Sequence, residues 1–588
     1  MLLGAYAARS CPVKTQNAYN AALTAPFTEP DESLAELFDG GAAFQAQVLD
    51  AVATACQGRV VDLRIPAGRL PVGRTEACRE ALRSGADVVL GGRLPLDLAG
   101  HRRGQPEILV RGIDQEDGTP RYHPVLVKWH KVVERRTHRR GAGHGSGDAP
   151  ANDPSGPVSR PSLDYTTLDA PRPTDIQRLD GYGARVSSRE GDFLQLAHYH
   201  RMLEAAGFAT AEDARAAVIG TDDVLGQPLL AWVDLAEPQV RTFSRSDSQG
   251  WRWRSLLARY DHEHGFRFDV ATVAAAQTGH PQVDPALLVR PIVTTECGRC
   301  PWWEHCRPQL DPDDVSLRID KGPLDVREIA TLRSHGVNTL TDLANADIDT
   351  LKASYLPQVT HRSGAETRLQ VATRRARMML AGHFLERETS GPIAVPAAEV
   401  EIDLDIETSA DGRIYLWGFL VNDPSAEQPH VYRAFCRFAD LDAAAELDLA
   451  REALGWLQAQ TDGSRSLLVY HYSGYEVAAL HTLANRQPDP LLDWAVDYAS
   501  EHFVDLLELV KAHFFGVSGL GLKMVARQAA GFRWRDEDPG GLNSQRWFTD
   551  AVHAEAPSLR AAARQRVLDY NEDDVAATER VRAWLRAS

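Results

Sequence analysis

The segment 400–407 reads Val-Glu-Ile-Asp-Leu-Asp-Ile-Glu, a strict alternation of apolar and acidic residues. Because successive side chains of a β-strand point to opposite faces, this pattern predicts a strand with four aliphatic side chains on one face and four carboxylates on the other. A row of like charges is stable only where solvent or cations neutralise it. Asp405 and Glu407 share the acidic face and can converge on one hard cation. The segment therefore predicts either a metal site or a solvated edge strand.

The sequence after this strand predicts a layered α/β domain. Strand-like segments lie at 413–421 and 430–436, and a helix at 441–460 precedes a buried strand at 467–471. Three strands, a helix and a strand are the beginning of a ribonuclease H-like sheet. Glu476 follows the last of these strands, near the carboxyl end where α/β sites form.

Two further residues lie far downstream of the acidic strand. Tyr570 and Asp574 are spaced i and i+4, so they share one face of the predicted C-terminal helix. Lys523, in Gly519-Leu-Gly-Leu-Lys, is expected either to contact phosphate or to be an ordinary surface lysine. The neighbouring acids are interpreted as outer-sphere groups or as unrelated to the site; they are Asp403, Asp569 and Asp573.

This set of residues resembles the DEDDy branch of the DnaQ-like 3'-5' exonucleases. Asp405 and Glu407 match the first family motif, and Tyr570 and Asp574 match the third. Glu476 stands where the middle motif usually has an aspartate, and it is still a competent hard ligand. The resemblance implies that the four acids bind two Mg2+ or Mn2+ ions, and that the tyrosine orients a water for attack on a terminal phosphodiester.

Length and composition place the chain in a broad class. Its 588 residues predict two to four domains, and 44% hydrophobic with 25% charged residues is typical of a soluble protein. No window has the roughly 18 to 20 apolar residues that a membrane span needs, and the apolar start is too short for a signal peptide, so we expect a cytoplasmic protein. The net charge of -17 argues against a surface that coats nucleic acid broadly, but a local basic channel is compatible with it.

Seven cysteines are too few for a disulfide framework, but three of them are clustered. Cys297, Cys300 and Cys306 lie within ten residues, which is a spacing typical of metal ligands. Cys11 is the best candidate for a fourth thiolate, because the remaining three cysteines stand alone in helical or strand-like contexts. Four thiolates suit either zinc or an iron-sulfur cluster, and spacing does not choose between them.

The N-terminal region has a second pattern. Segments 106–110 and 125–128 read as two strands of a hairpin joined by the turn-rich stretch 114–118. Gln195 and Tyr199 are one turn apart on a predicted amphipathic helix at 192–206. Either feature alone is common, so the interpretation depends on their order relative to the cysteines.

One early cysteine, a Gln-x-x-x-Tyr helix and a closing Cys-x2-Cys-x5-Cys resemble the iron-sulfur-clasped RecB-type nucleases. The resemblance implies a PD-(D/E)xK, restriction-endonuclease-like fold over 1–310 in which a 4Fe-4S cluster, or zinc as the alternative, joins the two ends of the domain. Glu107 matches the first active-site acid and Lys128 the lysine. The second acid falls on Leu126, which cannot coordinate a metal, so the site that includes Gln195 and Tyr199 is expected to hold DNA, with cleavage in doubt.

The remaining segments suggest further contacts with DNA. A basic run at 131–140 leads into a Gly- and Pro-rich stretch at about 141–161, which we interpret as a flexible insertion that either grips phosphates or is only solvated. Residues 311–395 are predicted to be helical, and 329–343 resemble a helix-hairpin-helix whose turn would contact a DNA backbone, with a helical spacer as the alternative.

The order of these parts resembles a bacterial family of RecB-like nucleases, with a DEDDy exonuclease-like domain at 396–588. We therefore expect an α/β multidomain, metal-dependent DNA nuclease with two-metal chemistry at the C-terminal site. The expected partner is single-stranded DNA or DNA ends, with RNA also open. No membrane is expected, and a possible helicase partner is not identified by the sequence. The alternative is a non-catalytic iron-sulfur protein that binds DNA as a repair scaffold.

Overall fold

The computed structural model describes residues 1–26, 32–65, 73–136, 162–222, 224–280, 282–318, 322–461, 463, 465–537 and 540–588. The insertion expected at about 141–161, and the end of the basic run before it, lie outside these residues. Most of the chain forms two units, Met1–Arg318 with Leu324–Ala372, and Thr373–Ser588. The three-part division at residues 310 and 395 stays a prediction.

The first unit contains a mixed sheet of eight strands in the order β1-β2-β3-β4-β9-β10-β6-β7, a pair β5-β8 and a hairpin β11-β12. The strands are β1 Val60–Asp62, β2 Val88–Leu90, β3 Ile108–Arg111, β4 Tyr122–Val127, β5 Val133–Arg135, β6 Ser162–Thr167, β7 Gln177–Asp180, β8 Tyr182–Ala184, β9 Arg215–Ile219, β10 Leu229–Asp234, β11 Pro238–Phe243 and β12 Trp251–Ser255. β3 and β4 are antiparallel and form the predicted hairpin, and β4 continues the sheet by pairing in parallel with β9.

The helices of this unit were predicted less completely than its hairpin. They are α1 Pro12–Tyr19, α2 Glu32–Ala55, α3 Arg74–Arg83, α4 Glu190–Ala205, α5 Leu256–Ala275, α6 Trp303–Cys306, α7 Val315–Arg318, α8 Val326–Ser334, α9 Leu340–Asn345, α10 Ile348–Tyr355 and α11 Ala365–Leu380, the last of which contains the boundary at residue 372. α4 is the helix predicted at 192–206.

The two faces of the large sheet pack against different helices, because side chains alternate along each strand. Val125 and Val127 of β4 belong to a core cluster with residues of α2. Leu126, between them, belongs to the other cluster, which contains residues of α4 and α5. The strand that carries the predicted lysine site is therefore buried on both faces.

The segment predicted to be a helical hairpin has that secondary structure. α8 ends at Ser334, and Gly336 has a φ of +81°, a left-handed conformation that glycine adopts at little cost and that commonly ends a helix. α9 begins after Thr339, whose hydroxyl accepts a hydrogen bond from the backbone N–H of Asp342. A role of this turn in DNA binding stays a prediction.

The second unit is built around a five-stranded sheet in the order β16-β15-β14-β17-β18, with a separate pair β13-β19. Its strands are β13 Leu385–Arg387, β14 Val400–Thr408, β15 Ile414–Asn422, β16 His430–Cys436, β17 Leu467–His471, β18 Phe503–Asp505 and β19 Phe514–Gly516. Its other helices are α12 Ala443–Thr461, α13 Tyr475–Arg486, α14 Pro490–His502, α15 Leu506–His513, α16 Leu522–Gln528, α17 Gly541–His553 and α18 Pro557–Ala587. The strands and the helix predicted from 400 to 471 agree with these bounds to within two residues at each end.

β14, the strand of alternating residues, occupies the centre of this sheet. It pairs antiparallel with β15 and in parallel with β17. Its aliphatic side chains pack into a core cluster with residues of α12, whereas its acidic face lies against α18. The alternative prediction, a solvated edge strand, is therefore wrong, because β14 has a neighbouring strand on each side and a helix over each face.

Among the described residues, no helix is both long enough and apolar enough to cross a bilayer.

Candidate active site

The acidic face of β14 divides into two halves with different partners. Glu401 and Asp403 form ion pairs with Arg582 of α18, and Asp403 Oδ2 lies 2.5 Å from its guanidinium. Arg586, one turn further along α18, also pairs with Glu401. Two of the four carboxylates in the row are thus neutralised by arginines of the protein itself.

The other half of the row faces a third carboxylate. Asp405, Glu407 and Asp574 each place a carboxylate oxygen within 4.8 Å of the oxygens of the other two. Glu407 and Asp574 are buried and Asp405 is half-buried. A central strand and a long helix, separated by more than 160 residues of sequence, therefore bring three hard oxygen ligands to one point.

The charges of these three carboxylates are poorly compensated. Burial, followed by the nearby charge of Glu407, raises the pKa of Asp405 well above its ordinary value. Burial likewise raises the pKa of Asp574, and it raises the pKa of Glu407 to about 8. Lys523 opposes these shifts in all three cases. A divalent cation would replace the missing positive charge, so the donor set fits Mg2+ or Mn2+.

A neutral hydrogen-bond donor holds one oxygen of each carboxylate. Asn571 Nδ2 donates to Asp405 Oδ2 at 2.7 Å, and Ser544 Oγ donates to Glu407 Oε2 at 2.6 Å. Trp534 Nε1 donates to Asp574 Oδ1 at 2.6 Å. Neutral donors orient the carboxylates without cancelling their charge, as the outer-shell partners of a metal ligand do.

These three donors were not predicted from the sequence. They come from distant parts of the chain, and no spacing connects them to the acidic strand. One indirect signal is Gly418, which stands opposite Asp405 in the β14–β15 pair. A Cβ at that position would overlap the side-chain oxygen of Asn571, so the glycine allows Asn571 to reach the carboxylate.

Tyr570 and Lys523 adjoin the three carboxylates. Lys523 Nζ donates to the Tyr570 hydroxyl at 2.8 Å, which places the lysine inside the site rather than at an unrelated surface. Burial, and then the charge of Asp574, raise the pKa of Tyr570. The phenol is therefore neutral at physiological pH and its hydroxyl is available as a hydrogen-bond donor.

Glu476 lies near the cluster but is not one of its three converging members. It is in the first turn of α13, directly after β17, and His471 Nδ1 lies 3.4 Å from its carboxylate. Burial raises its pKa, and the histidine partly opposes that shift. Asp505, at the end of β18, also interacts with Glu476 electrostatically and accepts a hydrogen bond from the Ser473 backbone. Glu476 stays a predicted ligand, at the strand ends where it was expected.

The acids interpreted as outer-sphere groups have partners of their own. Asp573 accepts from Arg535 Nε at 2.8 Å, and Asp569 lies 3.5 Å from the same guanidinium. Asp403 is paired with Arg582 as described above. None of the three belongs to the converging cluster.

The four predicted thiol ligands of the first unit line one cavity. Cys11 precedes α1, Cys297 and Cys300 lie in the turns before α6, and Cys306 ends α6. Asn17 Nδ2 is 3.5 Å from the Cys306 sulfur, and burial raises the pKa of that thiol to about 11. Segments that lie almost 300 residues apart in the sequence thus meet at this point.

The spacing of the sulfurs bears on which group they could hold. Among the described residues, no three cysteine sulfurs lie within 4.8 Å of one another. A tetrahedral zinc site, with Zn–S bonds of about 2.3 Å, would require sulfurs roughly 3.8 Å apart. Both zinc and an iron-sulfur cluster stay predictions for these thiols.

The predicted N-terminal site is also assembled. Lys128 Nζ donates to Gln195 Oε1 at 2.9 Å, and Gln195 Nε2 lies 3.3 Å from the Tyr199 hydroxyl. Burial raises the pKa of the nearby Glu107 to about 7, with Lys128 opposing the shift. The four residues therefore share one environment.

Two residues bear on why that site lacks a second metal-binding acid, and they are Leu126 and Asp192. Leu126 is fully buried in the core beneath α4, so no ligand can be supplied from its position. Asp192, which the sequence did not single out, lies 3.8 Å from Lys128 Nζ. It also pairs with Arg9 and His130 at 2.9 Å, so its charge is already compensated.

Comparison with known families agrees with the geometry of the second unit. Residues 403–586 match the family model RNase_H_2 of the RNase H superfamily. The chain has no match among curated proteins or solved structures. The protein is thus a mixed α/β multidomain chain whose C-terminal domain, which contains Asp405, Glu407 and Asp574, is RNase H-like.

Proposed function

We propose that the protein is a metal-dependent nuclease that hydrolyses phosphodiester bonds at the C-terminal site. The observation that carries this proposal is the convergence of Asp405, Glu407 and Asp574, largely buried and poorly compensated, inside an RNase H-like domain. A protein keeps such a cluster at a cost in stability unless a cation binds there. Nuclease chemistry gives that cation a role.

Asp405, Glu407 and Asp574 would hold Mg2+ or Mn2+, with Glu476 completing the set. The bound ions would lower the pKa of water and stabilise the entering and leaving oxygens of the phosphodiester. The neutral Tyr570 hydroxyl, held by Lys523, orients the attacking water and does not compete for the cation. Lys523 also contributes positive charge beside the phosphate, where negative charge increases in the transition state.

The resemblance of these residues to the DEDDy exonucleases supports a 3'-5' exonuclease as the specific activity. Tyr570 and Asp574 on one helix, together with Asp405 and Glu407 on the central strand, are the motif residues that carry the resemblance. We propose single-stranded DNA or DNA ends as the substrate, with RNA as the alternative that the assay must compare.

We further propose that the first unit holds nucleic acid and has a PD-(D/E)xK-like fold closed by an iron-sulfur cluster. The positions of Cys11, Cys297, Cys300 and Cys306 around one cavity support a thiolate-bound group, and the resemblance to the iron-sulfur-clasped nucleases favours a cluster over zinc. The cluster would stabilise the junction between the two ends of that unit without taking part in hydrolysis. Lys128, Gln195 and Tyr199 would contact the strand.

A second candidate is a non-catalytic, cluster-bearing scaffold for DNA repair. Leu126 favours it, because the N-terminal site has a buried aliphatic side chain where the nuclease pattern needs an acid. The two candidates differ in one respect, since only the nuclease requires a working C-terminal site.

Product analysis tests the proposed activity. Oligonucleotides of single-stranded DNA, duplex DNA and RNA, labelled at the 5' end, are incubated with the protein in Mg2+, in Mn2+ and in chelator. A 3'-5' exonuclease gives a ladder of progressively shorter labelled products that chelator abolishes. Intact substrate in every metal condition, with binding retained, would support the scaffold instead.

A further inference from the structure

The first unit contains a large open groove that is separate from its cysteine cavity and from Lys128. The groove runs between the hairpin β11–β12, helix α5 and helix α8, and residues 361–362 close one side. All of these elements belong to the same unit. Seven arginines line the groove against three carboxylates.

The carboxylates of the groove already have partners. Glu190 pairs with Arg259, and Glu263 pairs with Arg259 and Arg267. Asp325 pairs with Arg362 and His361. Asp325 also partly offsets the charge of Arg327, but none of the described salt bridges joins these acids to the four remaining arginines of the groove.

The four remaining arginines of the groove are Arg241, Arg245, Arg254 and Arg327. They have no carboxylate partner among the residues that the structure describes. Their observed contacts are neutral. Arg241 Nη2 donates to the Thr360 carbonyl at 2.7 Å, and Arg254 Nε donates to Thr242 Oγ1 at 3.0 Å. Arg327 Nε donates to a backbone carbonyl at 2.6 Å. The four arginines thus line the same groove without a carboxylate partner of their own.

This arrangement is electrostatically unfavourable in the free protein. Burial lowers the pKa of Arg241, and burial with repulsion from neighbouring arginines lowers the pKa of Arg254 and Arg327. Partly desolvated cations of one sign are costly to hold together unless an anion binds between them. The groove is therefore suited to a ligand with several negative charges.

Aromatic rings lie among the arginines. Phe243 lines the groove, and the Arg327 guanidinium lies over its ring, 3.5 Å from the centroid. Arg241 lies 3.8 Å from the centroid of Trp251 on the same hairpin. Phe266 of α5 also lines the groove and is partly exposed. Guanidinium planes and aromatic faces are the surfaces on which unpaired bases stack.

We propose that this groove binds a single strand of nucleic acid, with the unpaired arginines on consecutive phosphates and Phe243 or Phe266 beside the bases. A rigid duplex hides its bases and would leave the aromatic rings unused, whereas a single strand can satisfy both features. The inference rests on the proposed nuclease function, since it identifies where the substrate strand is held, but binding and hydrolysis can be measured separately.

The test uses the full chain and a fluorescent oligothymidine in chelator, so that the metal site does not hydrolyse the strand during the measurement. Arg245→Gln with Arg254→Gln removes two unpaired charges. We expect binding to weaken at least about fivefold, and the slope of log affinity against log salt to decrease by about 0.7 for each lost phosphate contact. The Arg245→Lys/Arg254→Lys protein, which keeps the charges, should retain most of the affinity.

Two controls make the result decisive. Arg79→Gln with Arg83→Gln removes the same charge from α3, outside the groove, and should leave binding nearly unchanged. Arg245→Gln alone changes an exposed side chain, so it reports on binding if the double variant fails to fold. Unaltered binding by the groove variants, or an equal loss in the α3 variant, would overturn the inference.

The outcome also separates this inference from the proposed function. If hydrolysis continues and the arginine substitutions leave strand binding unchanged, the groove is not the strand-binding site, but the proposed nuclease activity stands. If strand binding depends on the groove and no hydrolysis occurs in Mg2+ or Mn2+, the proposed nuclease activity is refuted, but the groove stands as the strand-binding site.

Discussion

Arg582 Nη2 lies 2.5 Å from Asp403 Oδ2, and both side chains are buried between the C-terminal helix and the central strand. Two residues further along the same face of the strand, Asp405 has no arginine partner among the described residues and accepts a hydrogen bond from the amide of Asn571. One helix thus neutralises one end of the acidic row and leaves the other end without an arginine. The difference assigns a structural role to Asp403 and a candidate ligand role to Asp405.

Matched asparagine substitutions should separate these two roles. Asp403→Asn removes one carboxylate partner from the buried guanidinium of Arg582. We therefore expect the free energy of unfolding to decrease by about 2–4 kcal/mol and the melting temperature to fall. Asp405→Asn removes a charge for which burial and like-charged neighbours outweigh the attraction of Lys523, so the chelated protein should melt at the same temperature or higher. Differential scanning fluorimetry in chelator measures both. A larger loss for Asp405→Asn would contradict the division.

The metal-free protein should lose stability as the pH rises. Glu407 has an ordinary pKa of 4.5 and a folded pKa of about 8, so the folded state binds more protons than the unfolded state between these values. Stability therefore falls with increasing pH across this window and levels off above it. Melting temperatures in chelator from pH 5 to 8.5 should show this decline.

Two comparisons measure the contribution of Glu407 to that decline. Glu407→Gln should make the decline shallower, although the raised pKa values of Asp405, Asp574 and Glu107 leave part of it, and Mg2+ should raise the melting temperature of the wild type most at the alkaline end. A decline of the same size in the Glu407→Gln protein would assign the effect to other groups.

Removal of the Tyr570 hydroxyl should affect catalysis more than metal binding. Tyr570→Phe keeps the ring packed but loses the group that Lys523 holds, so we expect hydrolysis to slow by about 10- to 100-fold. The Mg2+ concentration that gives half-maximal rate should change little, because a neutral phenol is a much weaker ligand for a hard cation than the three carboxylates. A shift in that concentration with an unchanged maximal rate would contradict the proposed role.

The cysteine site predicts a metal content that depends on specific thiols. Anaerobically purified protein should contain iron and acid-labile sulfide, and Cys300→Ser should lose most of both. Cys436→Ser is the matched control, because this half-buried cysteine lies in β16, in the other unit. Zinc without sulfide, or equal iron content in the two variants, would refute the cluster.

The acidic strand shows how far sequence alone could lead. Its alternation predicted the strand and the two faces correctly, because side-chain direction in a strand depends only on local geometry. It could not determine which carboxylates an arginine neutralises, since that depends on Arg582, almost 180 residues away in sequence. Ser544, Trp534 and Asn571 were missed for the same reason, because tertiary packing alone brings them to the carboxylates.

The first unit shows a different limit. Cys11 was chosen by eliminating other cysteines, and the structure places it with the three clustered thiols. The arginine groove was not predicted, because its residues come from a hairpin and two helices and form no run in the sequence. The basic run at 131–140, which sequence emphasised instead, lies partly outside the described residues. A local charge pattern is visible in sequence, but a surface assembled from separate elements is not.

The most direct test of the central claim is the rate at which wild type, Asp405→Asn and Lys128→Ala proteins shorten an end-labelled single strand in Mg2+. We predict that Lys128→Ala keeps at least about a tenth of the wild-type rate, and that Asp405→Asn loses activity by about a thousandfold or more. Undiminished digestion by the Asp405→Asn protein, or its abolition by Lys128→Ala alone, would contradict the assignment of catalysis to the C-terminal site.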